Sequence, residues 1–294
     1  MRYLLLALAA SCAPAASTLP APSTTTAQSA PAAPSPTTAR STPAAPAAPR
    51  HTSPEGPARA YIDASDRCTS TPLRTAFHPA SHLVRVDDAG AVQSKTMLAW
   101  WLAIDAPKPC VPALERTLTV LDREGPMAIV ASYARYATHR FHDLLLVVDT
   151  PDGWRVVDKV YDMLKPEEAP PPWSDEPGVR SALEQKIRAA LDNDPALLAS
   201  SHLDECIYSA VHVAGVPYAR ASVSEWAARY AARRERGEDG RQAQWRVLAS
   251  KASGKIAFAK LDVVAHGRRY VDHIALLRVK DTWRIAAAVW GDPS

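Results

Sequence analysis

Along the chain, hydrophobic and polar positions fall into three regimes. Leu4 to Ala10 is an unbroken apolar run, Ala13 to Pro57 has no hydrophobic period, and everything beyond alternates between helical and extended spacing. The third regime carries the fold. After Pro177, the residues Val179, Leu183, Ile187, Ala190 and Leu191 recur at the spacing of an amphipathic helix, which Asp194-Pro195 ends. Ala60, Tyr61, Ala64 and Cys68 follow the same pattern, less strictly, after Pro57. A second kind of helix carries Met97, Trp100 and Trp101 in one place and Val223, Trp226 and Tyr230 in another, the latter with Ser222 or Ser224 as N-cap. Extended runs follow each: 118–121, 127–136, 140–148 and 154–161, then 256–264, 270–279 and 283–290. Asp152-Gly153 predicts a hairpin turn before the last run of the first set, and Lys280-Asp281 stands in the same place in the second.

This recurrence is a repeat. Arg116–Tyr161, shifted by 129 residues, overlays Trp245–Trp290 without a gap. Identities include Gly125/Gly254, Asp143/Asp272, Trp154/Trp283 and Arg155/Arg284, and Tyr161 answers Trp290. Upstream, Leu73 and His78 pair with Leu197 and His202, and Trp100 with Trp226, across changes in loop length. Helices first and antiparallel strands last predict an α+β domain with helices on one face of a curved sheet, present twice, over residues 57–164 and 177–292.

The order of elements, His78-Pro79, the Trp on the second helix and the closing Trp-Arg-Val/Ile strand resemble the nuclear transport factor 2-like superfamily, in its lumazine-binding-like and SnoaL-like branch. The resemblance covers nearly all of the periodic chain. It implies two tandem cone-shaped domains, each a curved antiparallel sheet wrapped on helices with a pocket at the wide end. It implies no single function, because that pocket serves enzymes, binding modules and oligomerisation domains alike.

Composition adds location. Arg2 followed by the apolar run and small residues has the layout of an export signal, residues 1–16, too short to span a membrane. Leu8-Ala9-Ala10-Ser11-Cys12 resembles a bacterial lipobox, so Cys12 is expected to carry lipid; cleavage after Ala16 is the alternative. Residues 17–56, almost all Ala, Pro, Ser and Thr, read as a disordered tether. A tether has a use only when one end is fixed, which favours a protein anchored in the bacterial periplasm or envelope. The formal charge of +3 comes largely from the N-terminal region, where Arg2, Arg40 and Arg50 face only Glu55. The near-neutral remainder excludes a nucleic-acid stripe.

Candidate chemistry is sparse. Asp143 and Asp272 place a carboxylate at one strand position in both copies, against apolar neighbours, which suits a general base or a ligand contact. A salt bridge to Arg140 or Arg269 is the competing role. His142-Asp143 and Asp272-His273 cannot share a site, because neighbours on a strand point to opposite faces. Trp100 and Tyr133 complete the candidates for contacting a ligand. Motifs for a metal, a phosphate loop or a serine nucleophile are absent, and no cofactor is expected. A Cys68–Cys110 disulfide suits an oxidising compartment, leaving Cys206 as a buried thiol. The copies agree mostly at core and turn positions, and Asp158 and Lys159 of the first become Ala287 and Ala288 in the second. Any ligand chemistry is therefore expected in what is not shared. The reading is a non-catalytic module for a small apolar ligand or an envelope protein, with one domain able to serve as a dimer surface. Its alternative is a SnoaL-like isomerase, cyclase or hydrolase using Asp143.

Overall fold

A computed structural model describes residues 50–107, 109–238, 240–265 and 267–293. The predicted signal, Cys12 and the predicted tether as far as residue 49 lie outside the described residues. The first copy runs α1 (Glu55–Arg67), α2 (Thr71–Ala76), β1 (Phe77–Val86), β2 (Val92–Thr96), α3 (Met97–Asp105), β3 (Glu115–Glu124), β4 (Met127–Arg135), β5 (Arg140–Thr150) and β6 (Gly153–Leu164). A connector with one short strand, β7 (Ser174–Asp175), leads to the second copy. That copy runs α4 (Pro177–Leu191), α5 (Pro195–Ser201), β8 (His202–Val213), β9 (Val216–Ser222), α6 (Val223–Glu235), β10 (Gln244–Ser253), β11 (Ile256–Ala265), β12 (Arg268–Val279) and β13 (Thr282–Gly291). The element order is the same in both, so the chain folds as two tandem α+β domains.

The sheets are ordered β2-β1-β6-β5-β4-β3 and β7-β10-β11-β12-β13-β8-β9. All pairings are antiparallel except β1 with β6 and β8 with β13, which are parallel. β1 and β8, with β2 and β9, are strands that lie between the two helical runs of each copy, where the sequence pattern predicts none. Their mixed burial pattern hides the strand period, and the β1–β6 ladder slips between Phe77 and His82. Both copies bulge at one place on the last strand: opposite Leu146/Val147 in the first and opposite Ala275/Leu276 in the second. A bulge bends the strand and increases twist, which curves the sheet around its helices.

The ladders also correct one repeat pairing. Phe77 stands beside Val156, and His202 beside Ile285. Because Val156 and Ile285 are repeat partners, His202 answers Phe77 rather than His78.

Helix starts are fixed locally. Thr96 caps α3 by accepting the Ala99 N–H at 3.3 Å, and Ser222 caps α6 in a reciprocal box with Glu225. At the far ends of α1 and α4, Cys68 (φ 52°) and Asn193 (φ 48°) adopt the left-handed conformation, and the next N–H bonds back to Ala64 and Ala189 respectively. These matching caps set the helix register: Tyr61 and Lys186 each lie seven residues before the cap, so they are repeat partners.

Alternate side chains of the central strands divide between two cores. Leu145 and Val147 face the helices of the first copy, and Ile274 and Leu276 those of the second. Leu144, Leu146, Val271, Ala275 and Leu277 point the other way, into a third core shared by both copies. A strand buried on both faces reads as a continuous apolar run, which explains Leu144–Val148. The shared core means that each copy covers the outer sheet face of the other. Its polar rim includes a buried pair, Asp158–Arg220 at 2.9 Å, and Asp122 bonded to His273 (2.6 Å) and Lys260 (2.9 Å).

Candidate functional site

In the first copy, α1, α3 and the sheet enclose a cavity of about 580 Å³. Tyr61, Trp100, Phe141, Tyr161 and Lys159 are among its walls. The loop after α3 closes one side, and a disulfide joins Cys68, at the end of α1, to Cys110 in that loop.

At the inner end of the cavity three side chains form a closed set. The Lys159 ammonium lies 2.9 Å from Asp143 Oδ1 and donates to the Tyr61 hydroxyl at 2.7 Å, while that hydroxyl donates to Asp143 Oδ2 at 2.7 Å. Asp143 is fully buried, on the face shared with Leu145 and Val147, whereas His142 points to the opposite face. Burial, then the Asp143 charge, holds the Tyr61 phenol well above its ordinary value. Burial pushes the Lys159 amine down, and the Asp143 carboxylate opposes that. Aromatic faces surround the ammonium, with ring centroids 4.5 Å (Tyr61), 4.8 Å (Tyr161), 5.7 Å (Trp100) and 5.8 Å (Phe141) from Nζ. One of its three protons goes to Tyr61, and the Asp143 carboxylate lies beside it as an ion pair. A further proton is available to an acceptor in the cavity.

Asp143 therefore does not pair with Arg140, which donates instead to Tyr133 Oη at 3.0 Å and the Pro166 carbonyl at 2.6 Å. Nor does Asp272 pair with Arg269, which bonds Asp262 at 2.6 Å. The partner of Asp272 is Lys186, at 2.8 Å. The amine has exchanged places between copies. The first has Tyr61 on the helix and Lys159 on the last strand; the second has Lys186 on the helix and Ala288 on that strand. The buried pair persists although no lysine position is shared.

The second cone carries larger side chains. Repeat partners grow from Leu83 to Tyr208, from Phe141 to Tyr270 and from Tyr161 to Trp290, and Tyr230 occupies the Ile104 position on its helix. Tyr208, Tyr230 and Tyr270 are all buried there, and Trp226 packs against Tyr208 and Trp290. Lys186 ends over Trp245, 4.6 Å from the ring centroid.

Of the residues singled out from sequence, Trp100 lines the cavity, Asp143 sits behind Lys159 and Tyr61, and Asp272 is enclosed in the second copy. Tyr133 lies on the other side of the sheet, in a separate groove. Trp154 and Trp283 are core residues, and Cys206 is a free buried thiol. Sequence reasoning took Tyr61 only as an apolar helix position and named Lys159 only as a residue that the second copy lacks. The signal for Lys159 was a lysine inside an apolar strand whose repeat partner is alanine.

A family described as putative lumazine-binding matches residues 52–162 and again 174–291, so the chain belongs to that family and carries its domain twice. Both copies are nuclear transport factor 2-like domains. No curated protein matches. Similar solved structures include NTF-2-like proteins of unknown function from Silicibacter pomeroyi and Shewanella baltica. The first is 19% identical with TM-score 0.34, covering 39% of this chain and 92% of that one. The second is 21% identical with TM-score 0.32, covering 36% and 87%. A ketosteroid isomerase-like protein from Erwinia carotovora atroseptica is 17% identical with TM-score 0.32, covering 40% and 95%.

Proposed function

We propose that the first copy binds one small, flat, largely apolar ring compound in its cavity, and that the second copy is its structural partner rather than a second binding domain. The observation that carries this reading is the cavity of about 580 Å³ with aromatic walls and the Lys159 amine, paired with Asp143, at its inner end. A volume within the range of about 300–1,000 Å³ suits a ligand of one to three rings. Asp143 already neutralises the amine, so the site favours an uncharged acceptor, such as a ring carbonyl, over a free anion. Lumazine, which the family description names, is a fused two-ring dione of this kind. Catalysis by Asp143 is the weaker reading, because Lys159 and Tyr61 stand between its carboxylate and the cavity. Export behind the N-terminal signal, cleaved before a lipidated Cys12, with the chain as far as residue 56 as a leash, belongs to the same proposal and is supported by the N-terminal sequence pattern alone.

The test is a titration of the full chain with lumazine, followed by quenching of tryptophan fluorescence. It compares the natural sequence with the double variant Leu83→Tyr/Ile104→Tyr, which copies the larger side chains of the second cone. Saturable quenching that weakens at least tenfold in the variant, a loss of about 1.4 kcal/mol or more, supports the proposal. Equal affinity in the two proteins, or no saturation in either, overturns it.

A further inference from the structure

On the opposite face of the first sheet, beside the core shared with the second copy, lies a groove of about 260 Å³. Thr117, Thr119, Tyr133, His142, Pro171 and Trp173 are among the residues that line it. His142 is only 5% exposed, yet its imidazole has the Trp173 ring at 5.2 Å and no hydrogen-bond partner among the described residues. Burial holds this histidine down at about 4, with the charge of Asp143 opposing, so the ring is neutral at pH 7. A neutral imidazole offers one donor and one acceptor, and neither nitrogen of His142 is among the sealed unpartnered atoms, so both are open to solvent and to a ligand.

The second copy shows what the same positions look like when they are closed. There Thr117, Tyr133 and His142 become Arg246, Asp262 and Val271. Arg246 and Arg269 both bond Asp262, at 2.9 and 2.6 Å, and no polar ring is left waiting. In the first copy, Arg140 is committed to Tyr133 and the Pro166 carbonyl, and Thr117 and Thr119 have no hydrogen-bonded side-chain partners among the described residues. The other charged neighbour is Asp162, across the ladder from His142; it accepts the Lys255 N–H at 3.4 Å.

The roof of the groove is held in place by the second copy. Trp173 meets Phe258 edge-on at 5.3 Å, the Ser253 hydroxyl donates to the Pro171 carbonyl, and β7 pairs with β10 directly after Trp173. A fixed aromatic face over an unpartnered donor and acceptor is preorganised for a ligand.

We infer that this groove is a second binding site, separate from the cavity, for a small uncharged planar compound that stacks on Trp173 and hydrogen-bonds one ring nitrogen of His142, as a ring carboxamide can. Its volume is below the roughly 300 Å³ at which ordinary ligand pockets begin, so a single ring is the limit. Trp173 supplies the stacking face, His142 one donor or one acceptor, and the threonine hydroxyls further contacts at the edge.

Nicotinamide is a suitable probe, titrated into the full chain carrying nitrogen-15 in its indole groups and followed by NMR. The expected result is a saturable shift of the Trp173 indole signal, assigned with Trp173→Phe. The shift should persist in Leu83→Tyr, where the cavity is obstructed, and weaken at least fivefold in His142→Phe. Absence of a saturable Trp173 shift in the natural sequence overturns the inference, whether or not the His142 variant folds. So does binding that is lost in Leu83→Tyr and kept in His142→Phe, which would place the probe in the cavity. Neither outcome bears on lumazine binding, so the two readings fail independently.

Discussion

Replacing Lys159 by alanine strands Asp143, which is fully buried and keeps only the Tyr61 hydroxyl as a donor. Removing one partner of a buried pair costs about 3–5 kcal/mol. The surviving charge-assisted bond and water entering from the cavity place this case near the lower end, about 3 kcal/mol. For a unit of this size that corresponds to a fall in Tm of about 6–12 °C. The second copy supplies the rescue, because Lys186, at the position of Tyr61, reaches its aspartate at 2.8 Å without help from the strand. Tyr61→Lys in the Lys159→Ala background should recover at least half of the loss. Alone, Tyr61→Lys should destabilise, since it crowds a second ammonium beside Lys159 and removes the Tyr61 edge contact with Phe77 at 5.8 Å. Urea unfolding at pH 7, followed by far-UV circular dichroism on the natural sequence, both single variants and the double, measures the coupling directly. A Lys159→Ala cost under about 1 kcal/mol, or a double variant no more stable than the sum of its parts, would refute the exchange argument.

Three further outcomes are expected. Reducing the Cys68–Cys110 bond, which closes a loop of sequence separation 42, should cost up to about 4 kcal/mol, read as a drop in Tm with dithiothreitol; unchanged melting contradicts this. Arg220→Met should destabilise by about 3–5 kcal/mol by stranding Asp158. Burial already raises the Asp158 carboxyl, so the folded state holds that proton more tightly and the penalty grows as pH rises. The deficit of Arg220→Met should therefore shrink between pH 7 and pH 4, and a deficit that widens on acidification would be wrong in sign. His142 and His202, held by burial at about 4 and about 3, have the opposite linkage: the unfolded chain takes up the protons first. Each should remove about 1.4 kcal/mol of stability per pH unit below about 6.5, and His202→Phe should flatten that slope in urea melts.

Where side chains report burial directly, the fold was legible. The 129-residue repeat survives as two sheets with matching final bulges, and Gly125 and Gly254 both turn with positive φ, at 51° and 66°. The β1–β2 and β8–β9 hairpins were not legible, since their pairing with β6 and β13 is long-range and their burial pattern is irregular. The site was half legible. Asp143 and Asp272 stood out as the shared carboxylates, but a shared residue invites a shared partner, and Arg140 and Arg269 were the obvious ones. The amines that answer the carboxylates come from different elements in each copy, so no offset in the sequence could align them. Tyr61 was visible only as an apolar helix position, because a phenol packs like a hydrophobe and hydrogen-bonds like a polar group. The role of Tyr208 and Tyr270 as the larger side chains of the second cone was likewise hidden, since aromatic residues at repeat positions look like core in either copy.

The central claim is that one copy holds a ligand cavity and the other a core of larger side chains. A crystal structure of the full chain soaked with lumazine tests it most directly. One ring system is expected against Trp100 and Phe141, with a carbonyl oxygen within hydrogen-bond reach of Lys159 Nζ, and the Trp226 and Tyr270 rings of the second copy undisturbed. A ring system in the second cone, or one in the first that leaves Lys159 untouched, would contradict it.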